Sequence, residues 1–250
     1  MVRLPWSPGH PLLSATLRRP AGVLLAACVI VVATLGGLTA HHARPDWLDA
    51  RIDVAITTHL ASHPAMVDFI VGLGNTRTAT AICVVLVLGC LALRRPRGAV
   101  LFMVAVPVAI AITEYLLKPL VARKLGDWLV FPSGHETVVS TMAFAAILVL
   151  TGPARPALPA ALRWLLAAVA VAVIIALAPA LVAVHYHYFT DTIAGAAIGL
   201  GTVLATALSL DAVIARLARG RAGDAGPALP GDEMAASDGM TAATRRLPPA

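Results

Sequence analysis

Two short stretches hold the residues best suited to chemistry: Phe131-Pro132-Ser133-Gly134-His135, and, much later, His187-Tyr188-Phe189-Thr190-Asp191. Both lie where apolar runs end, the usual place for polar groups that act on something. A helix starting after Pro132 and Ser133 would present unpaired N–H groups and the positive end of its dipole to an anion, and Gly134 would let the backbone come close to it. Capping by Ser133 explains the same residues, and the two roles can coexist. His187 and Asp191 are four residues apart, so they share a face if a helix begins near Tyr186. A carboxylate there can hold one ring nitrogen and leave the other as nucleophile or base; a helix-terminal polar pair is the plainer alternative. Two imidazoles beside an anion cradle point to phosphoryl transfer, with His135 placed to protonate a departing oxygen.

Basic residues add to this. Lys118 follows Glu114 by four residues, a helical spacing that favours an ion pair and could simply cover the helix end. Beside an anion site, Lys118 is also a ready phosphate ligand, and Arg123 offers a planar, bidentate donor. For Lys124 and Arg44 a solvated or headgroup-facing role is the better reading.

The elements that must position these groups are membrane helices. The 250 residues are 59% hydrophobic and 13% charged, with mean hydropathy +0.84, well outside soluble composition. Apolar runs at about 20–40, 78–93, 99–117, 137–151, 161–184 and 192–213 predict an all-α bundle of six transmembrane helices. The fourth run is short, but Thr137, Ser140 and Thr141 can extend it by bonding back to the backbone. The first follows Arg18 and Arg19, is longer than a secretory h-region and lacks an A-x-A site, so it reads as an uncleaved anchor. Residues 1–19 then form a cytoplasmic segment, 20–217 the membrane domain and 218–250 a disordered cytoplasmic tail rich in Gly, Ala and Pro.

The net charge of +6 sits between the spans and forms no dense stripe, which argues against a nucleic-acid partner. With both termini cytoplasmic, thirteen arginines lie inside against six basic residues outside, and the histidine stretches face the extracytoplasmic side. Cys28, Cys83 and Cys90 all fall in apolar runs and have no metal-type spacing. Between the first two spans, Trp47, Leu48, Ile52 and Ile56 could form one apolar stripe, with Asp49, Arg51 and Asp53 elsewhere; this suits a helix on the membrane surface or an ordinary packed loop helix. Ala65 to Gly74 is apolar but too short to span.

These residues resemble the type 2 phosphatidic acid phosphatase family, six-helix membrane lipid phosphatases related to vanadium haloperoxidases, over roughly residues 70–210. The family's blocks are K-x6-R-P, P-S-G-H and S-R-x5-H-x3-D. The second is complete as Pro132 to His135, and His187 and Asp191 match the third. The resemblance implies that His187 attacks phosphorus, Asp191 orients it, His135 protonates the leaving group, and Lys118, Ser133 and Gly134 hold the phosphoryl oxygens. It implies no metal or other cofactor, a membrane lipid phosphate as substrate and a cell-membrane location.

The match departs from the family at both motif arginines. The first block's Arg-Pro falls on Leu125 and Gly126, and the third block's Ser-Arg on Ala180 and Leu181. Arg123 is the leading candidate to stand in, with Lys124 and His185 behind it. Two functions are therefore in play: an extracytoplasmic lipid phosphate or diphosphate phosphatase, or a lipid-phosphate-binding membrane protein that has lost turnover.

Overall fold

The computed structural model describes residues 11–152 and 158–224. Among these, nine α-helices dominate: α1 (Ala15–Thr39), α2 (Trp47–Leu60), α3 (Pro64–Gly72), α4 (Thr76–Ala92), α5 (Pro96–Ala111), α6 (Lys118–Val121), α7 (Gly134–Thr151), α8 (Ala160–Ala183) and α9 (Phe189–Asp224). A π-helical stretch, Ile112–Leu117, joins α5 to α6 without a break. Five helical stretches are long and apolar enough to cross a membrane: α1, Pro96–Val121, α7, α8 and α9 up to Gly220. The remaining predicted span, 78–93, is α4, apolar but only 17 residues long. The chain is an all-α, multi-pass membrane protein apart from one small hairpin. Helix α9 continues to Asp224, into the segment 218–250 read from sequence as the tail. The rest of the tail and residues 1–10 lie outside the described residues. By its internal contacts the chain divides between Ala212 and Val213.

The fourth run was predicted short, and its hydroxyls account for the difference. Thr137 Oγ1 donates to the Ser133 carbonyl at 2.8 Å and Thr141 Oγ1 to the Thr137 carbonyl at 2.6 Å, so these side chains are satisfied inside the helix. The helix therefore starts at Gly134, with Ser133 as N-cap accepting from the Glu136 N–H at 3.3 Å.

The core has two parts. Leu101, Phe102 and Ala105 of α5 pack with Met142 and Ala145 of α7 and with Val203, Leu204 and Ala207 of α9. Val67 and Val71 of α3 pack with Val139 of α7 and with Leu177, Ala180 and Leu181 of α8. Large side chains elsewhere face outward, among them Val23, Ile30, Val85 and Ile175, as lipid-facing positions require.

Between α2 and α3 the chain bends by 116°. At 14 and 9 residues, or roughly 21 and 14 Å, neither could cross a hydrocarbon core of about 30 Å alone. Only half of the predicted apolar stripe of α2 turns inward: Ile52 and Ile56 are half-buried, Trp47 and Leu48 exposed. Trp47 is 74% exposed, whereas Asp49 is fully buried, so this helix turns a carboxylate inward while it packs on α8.

The link from α6 to α7 is tightly held. Ala122, at φ 50°, ends α6, and strands Lys124–Leu125 and Trp128–Leu129 pair through a two-residue turn with Gly126 at φ 61°. The His41 N–H donates to the Val121 carbonyl at 2.8 Å and the Lys124 N–H to the His42 carbonyl at 2.9 Å, tying this link to the end of α1.

Candidate active site

The two stretches singled out in the sequence lie side by side. The Ser133 N–H donates to the Asp191 carbonyl at 3.0 Å, joining the start of α7 to the start of α9. Glycines permit the approach: a Cβ on Gly195 would lie 2.7 Å from the Ser133 carbonyl oxygen and 3.0 Å from Glu136 Cβ. A Cβ on Gly199 would strike Ser140 Oγ and sit 2.8 Å from the Thr141 nitrogen. The spacing small-x-x-x-small thus lets α9 lie on the α7 backbone.

His187 precedes α9 and is nearly buried. Its Nδ1 lies 2.9 Å from the Val130 carbonyl oxygen, a partner that can only accept, so Nδ1 carries the proton and Nε2 the lone pair in the neutral ring. Nε2 has no hydrogen-bond partner among the described residues. The expected orienting carboxylate is further off, with Asp191 Oδ2 3.9 Å from Nδ1. Asp191 is occupied elsewhere: Oδ2 accepts from the Tyr188 N–H at 3.0 Å and Oδ1 from Arg123 Nη1 at 2.6 Å. The ring is thus oriented by a backbone carbonyl, with the carboxylate behind it.

Arg123, expected as a stand-in phosphate donor, has a side chain that is 0% exposed and enclosed by carboxylates. Nη1 donates to Asp191 and, at 2.8 Å, to Thr190 Oγ1; Nη2 donates to Asp49 Oδ2; and the guanidinium lies 4.3 Å from the centre of the Tyr188 ring. Burial would lower its pKa, but Asp191 and Asp49 reverse this and raise it, so the charge is permanent. The Asp49 carboxylate also accepts from the Thr190 N–H at 2.9 Å, and Asp53 accepts from the Phe189 N–H at 3.2 Å. Helix α2 therefore supplies two carboxylates to the N-terminus of α9, where they are favoured by the dipole. Burial and the neighbouring Asp49 push Asp53 up to about 6.

Lys118 occupies the opposite condition. It is partly open and pairs with Glu114, Nζ lying 2.8 and 2.9 Å from the two carboxylate oxygens. The pair stands over the start of α7. A Cβ on Gly134 would be 2.6 Å from Glu114 Oε1 and 3.9 Å from Lys118 Nζ. Glu114 lies in the π-helical stretch, a distortion frequent at functional sites. His135, the second residue of α7, lays its ring on Gly74, where a Cβ would come within 2.7 Å, and its Nε2 is 3.3 Å from Asn75 Oδ1. Tyr186 stacks obliquely at 6.2 Å. Gly134 admits Glu114 and Lys118 to the start of α7, and Ser133 ties that start to the start of α9. Lys118, Ser133, Gly134, His135, His187 and Asp191 are thus gathered at one end of the bundle.

The two positions that lack the motif arginines hold a hairpin and an apolar core contact instead. Leu125 sits in the hairpin opposite Trp128, and the adjoining Gly126 has a positive φ that proline cannot adopt. Leu181 is fully buried in the α3–α8 core beside Val67 and Leu177. Sequence reasoning missed Asp49 and Thr190 as partners of Arg123, and Asp53 as the acceptor of the Phe189 N–H. The only hint was an acidic edge on α2, indistinguishable in sequence from a solvated face. Asn75 and the Val130 carbonyl carried no signal.

An apolar groove of about 650 Å³ runs between α1, Val108 to Val121 and α9. Its lining extends from Leu25 to Ala40 along α1, roughly 23 Å of helix, and reaches Leu117 and Val121, on either side of Lys118 in the chain.

No protein-family model and no curated protein sequence matches the chain. Among solved structures it is similar to a transmembrane PAP2-type phosphatidylglycerolphosphate phosphatase from Bacillus subtilis, with TM-score 0.56 and 16% identity over 74% of this chain and 93% of that one. The two share a fold.

Proposed function

We propose that the protein is a lipid phosphate or diphosphate phosphatase whose active site faces the extracytoplasmic side, with six spans and both termini in the cytoplasm. The observation that carries this reading is His187: Nδ1 held by a backbone carbonyl and Nε2 without a partner, beside the N-terminus of α7. Likeness in fold to a membrane phosphatase supports it.

In this mechanism Nε2 of His187 attacks phosphorus, forming an N–P bond as the P–O bond to the lipid breaks, and His135 gives its proton to the departing oxygen. Water then attacks the phosphohistidine, with His135 taking its proton, and phosphate leaves. Lys118, the Ser133 hydroxyl and the first N–H groups of α7 hold the phosphoryl oxygens where negative charge gathers. Asp191 acts with Arg123 to fix the start of α9 and supplies negative charge behind the His187 ring. Arg123 is a positioning residue here and not a phosphate ligand. The apolar groove accommodates the hydrocarbon chain of a polyprenyl or glycerolipid substrate.

The test is phosphate release from polyprenyl diphosphate and phosphatidic acid by purified wild type and His187→Ala. Wild type should release phosphate and form an acid-labile, alkali-stable phosphoenzyme; the variant should do neither. Equal release by both removes His187 as nucleophile. Leu125 in the hairpin and Leu181 in the core favour a second reading, a lipid-phosphate binder without turnover, which predicts phosphate-dependent binding with no release from any substrate.

A further inference from the structure

Glu114 has no part in the chemistry above, yet it stands where the phosphate would sit. Its Oε1 lies 2.6 Å from where a Gly134 Cβ would be, so the absence of that Cβ is what admits the carboxylate to the first turn of α7. The same carboxylate takes up Lys118 through both oxygens, at 2.8 and 2.9 Å. A helix start and a lysine are the features that make the site attractive to an anion, and an anion of the chain itself already holds the lysine. The pair is not locked in the core: the side chains keep 18% and 38% of their exposure for Lys118 and Glu114, and the π-helical turn gives the glutamate a different register from an α-helix. An incoming phosphate cannot share the lysine with Glu114 without strong repulsion, so binding means exchange of one anion for another.

We propose that Glu114 is a specificity-determining residue: it competes as a built-in carboxylate for the phosphate cradle and yields to a dianionic phosphate monoester but not to the monoanionic diester of an ordinary phospholipid. The physical reason is charge. Lys118 and the α7 dipole attract a doubly charged headgroup more strongly than a carboxylate, whereas a singly charged diester offers no gain over the glutamate it must displace. A site immersed in bulk phospholipid would thereby stay clear of it. This inference rests on the phosphate cradle proposed above and adds a residue to its selectivity.

The experiment compares wild type, Glu114→Gln and Glu114→Asp by calorimetric titration in detergent with inorganic phosphate and with dimethyl phosphate, and by steady-state kinetics on phosphatidic acid in the presence of phosphatidylglycerol. In Glu114→Gln, phosphate should bind about 3- to 10-fold tighter, dimethyl phosphate should become a ligand, and phosphatidylglycerol should raise KM with kcat little changed, the scale being that of a partly exposed ion pair. Glu114→Asp, which keeps the charge, should retain the discrimination. Weaker phosphate binding or a fall in kcat in Glu114→Gln would overturn the proposal, because it would make the glutamate a support for Lys118. Unchanged selectivity overturns the role of Glu114 alone. Absence of phosphate binding in all three proteins overturns the cradle, and with it the proposed phosphatase.

Discussion

Arg123 and Lys118 are five residues apart, both were expected to hold phosphate, and the fold treats them in opposite ways. Arg123 is sealed, with Asp49, Asp191 and Thr190 using its Nη atoms and Tyr188 beneath it. Lys118 is partly open and is engaged by a glutamate on its own helix. The difference follows from Ala122, whose left-handed backbone ends α6 between them and sends the chain back under the start of α9. A cation that is to meet a substrate must keep a replaceable partner; one that braces a scaffold must not. Net charge near a site is therefore a poor guide to ligand binding unless the partners of each charge are known.

The sharpest way to break this contrast is Arg123→Ala. It would leave Asp49 and Asp191 buried without a counter-charge, a loss of about 3–5 kcal/mol, and the protein should show a large fall in Tm or fail to accumulate. A folded variant with normal Tm and only a phosphate-binding defect would reverse the assignment. Lys118→Ala should instead leave Tm nearly unchanged and cost about 10²–10³ in kcat/KM, as removal of one transition-state donor typically does. Thermal unfolding measured beside phosphate release separates the two residues. The smallest effect is expected at Asp53, whose folded pKa of about 6 exceeds its ordinary 3.8. A carboxyl raised on folding favours the folded state while protonated, so stability falls as pH rises from about 4 to 6 and stays lower above that. Asp53→Asn should therefore raise stability by about 1 kcal/mol at pH 8, after discounting for solvent screening, and by nothing near pH 3.5. An equal gain at both pH values would show that the gain does not come from the charge of Asp53.

The bundle was legible because long apolar runs and their bounding charges leave few alternatives, and the polar ends of α7 and α9 stood out for the same reason. The start of α7 at Gly134 followed from hydroxyls able to satisfy themselves on the backbone. The partners of Arg123 could not be foreseen. Asp49 is separated from it by 74 residues and from Thr190 by 141, and nothing in the local pattern of α2 says which face turns inward. Trp47 illustrates the hazard: an aromatic that reads as a packing residue is 74% exposed, while the aspartate two positions on is buried. Likewise, spacing found His187 and Asp191 but could not show that a backbone carbonyl, and not the carboxylate, would be nearest to Nδ1.

Gly195 and Gly199 carry one more implication. Because they seat α9 against the α7 main chain with no room for a methyl group, the two candidate-site strips cannot part to admit a bulky guest and close again afterwards. Any breathing that lets a lipid enter has to come from the loosely packed first helix or the π-helical stretch, so entry should be sideways from the bilayer, past a moving wall and toward an immobile floor.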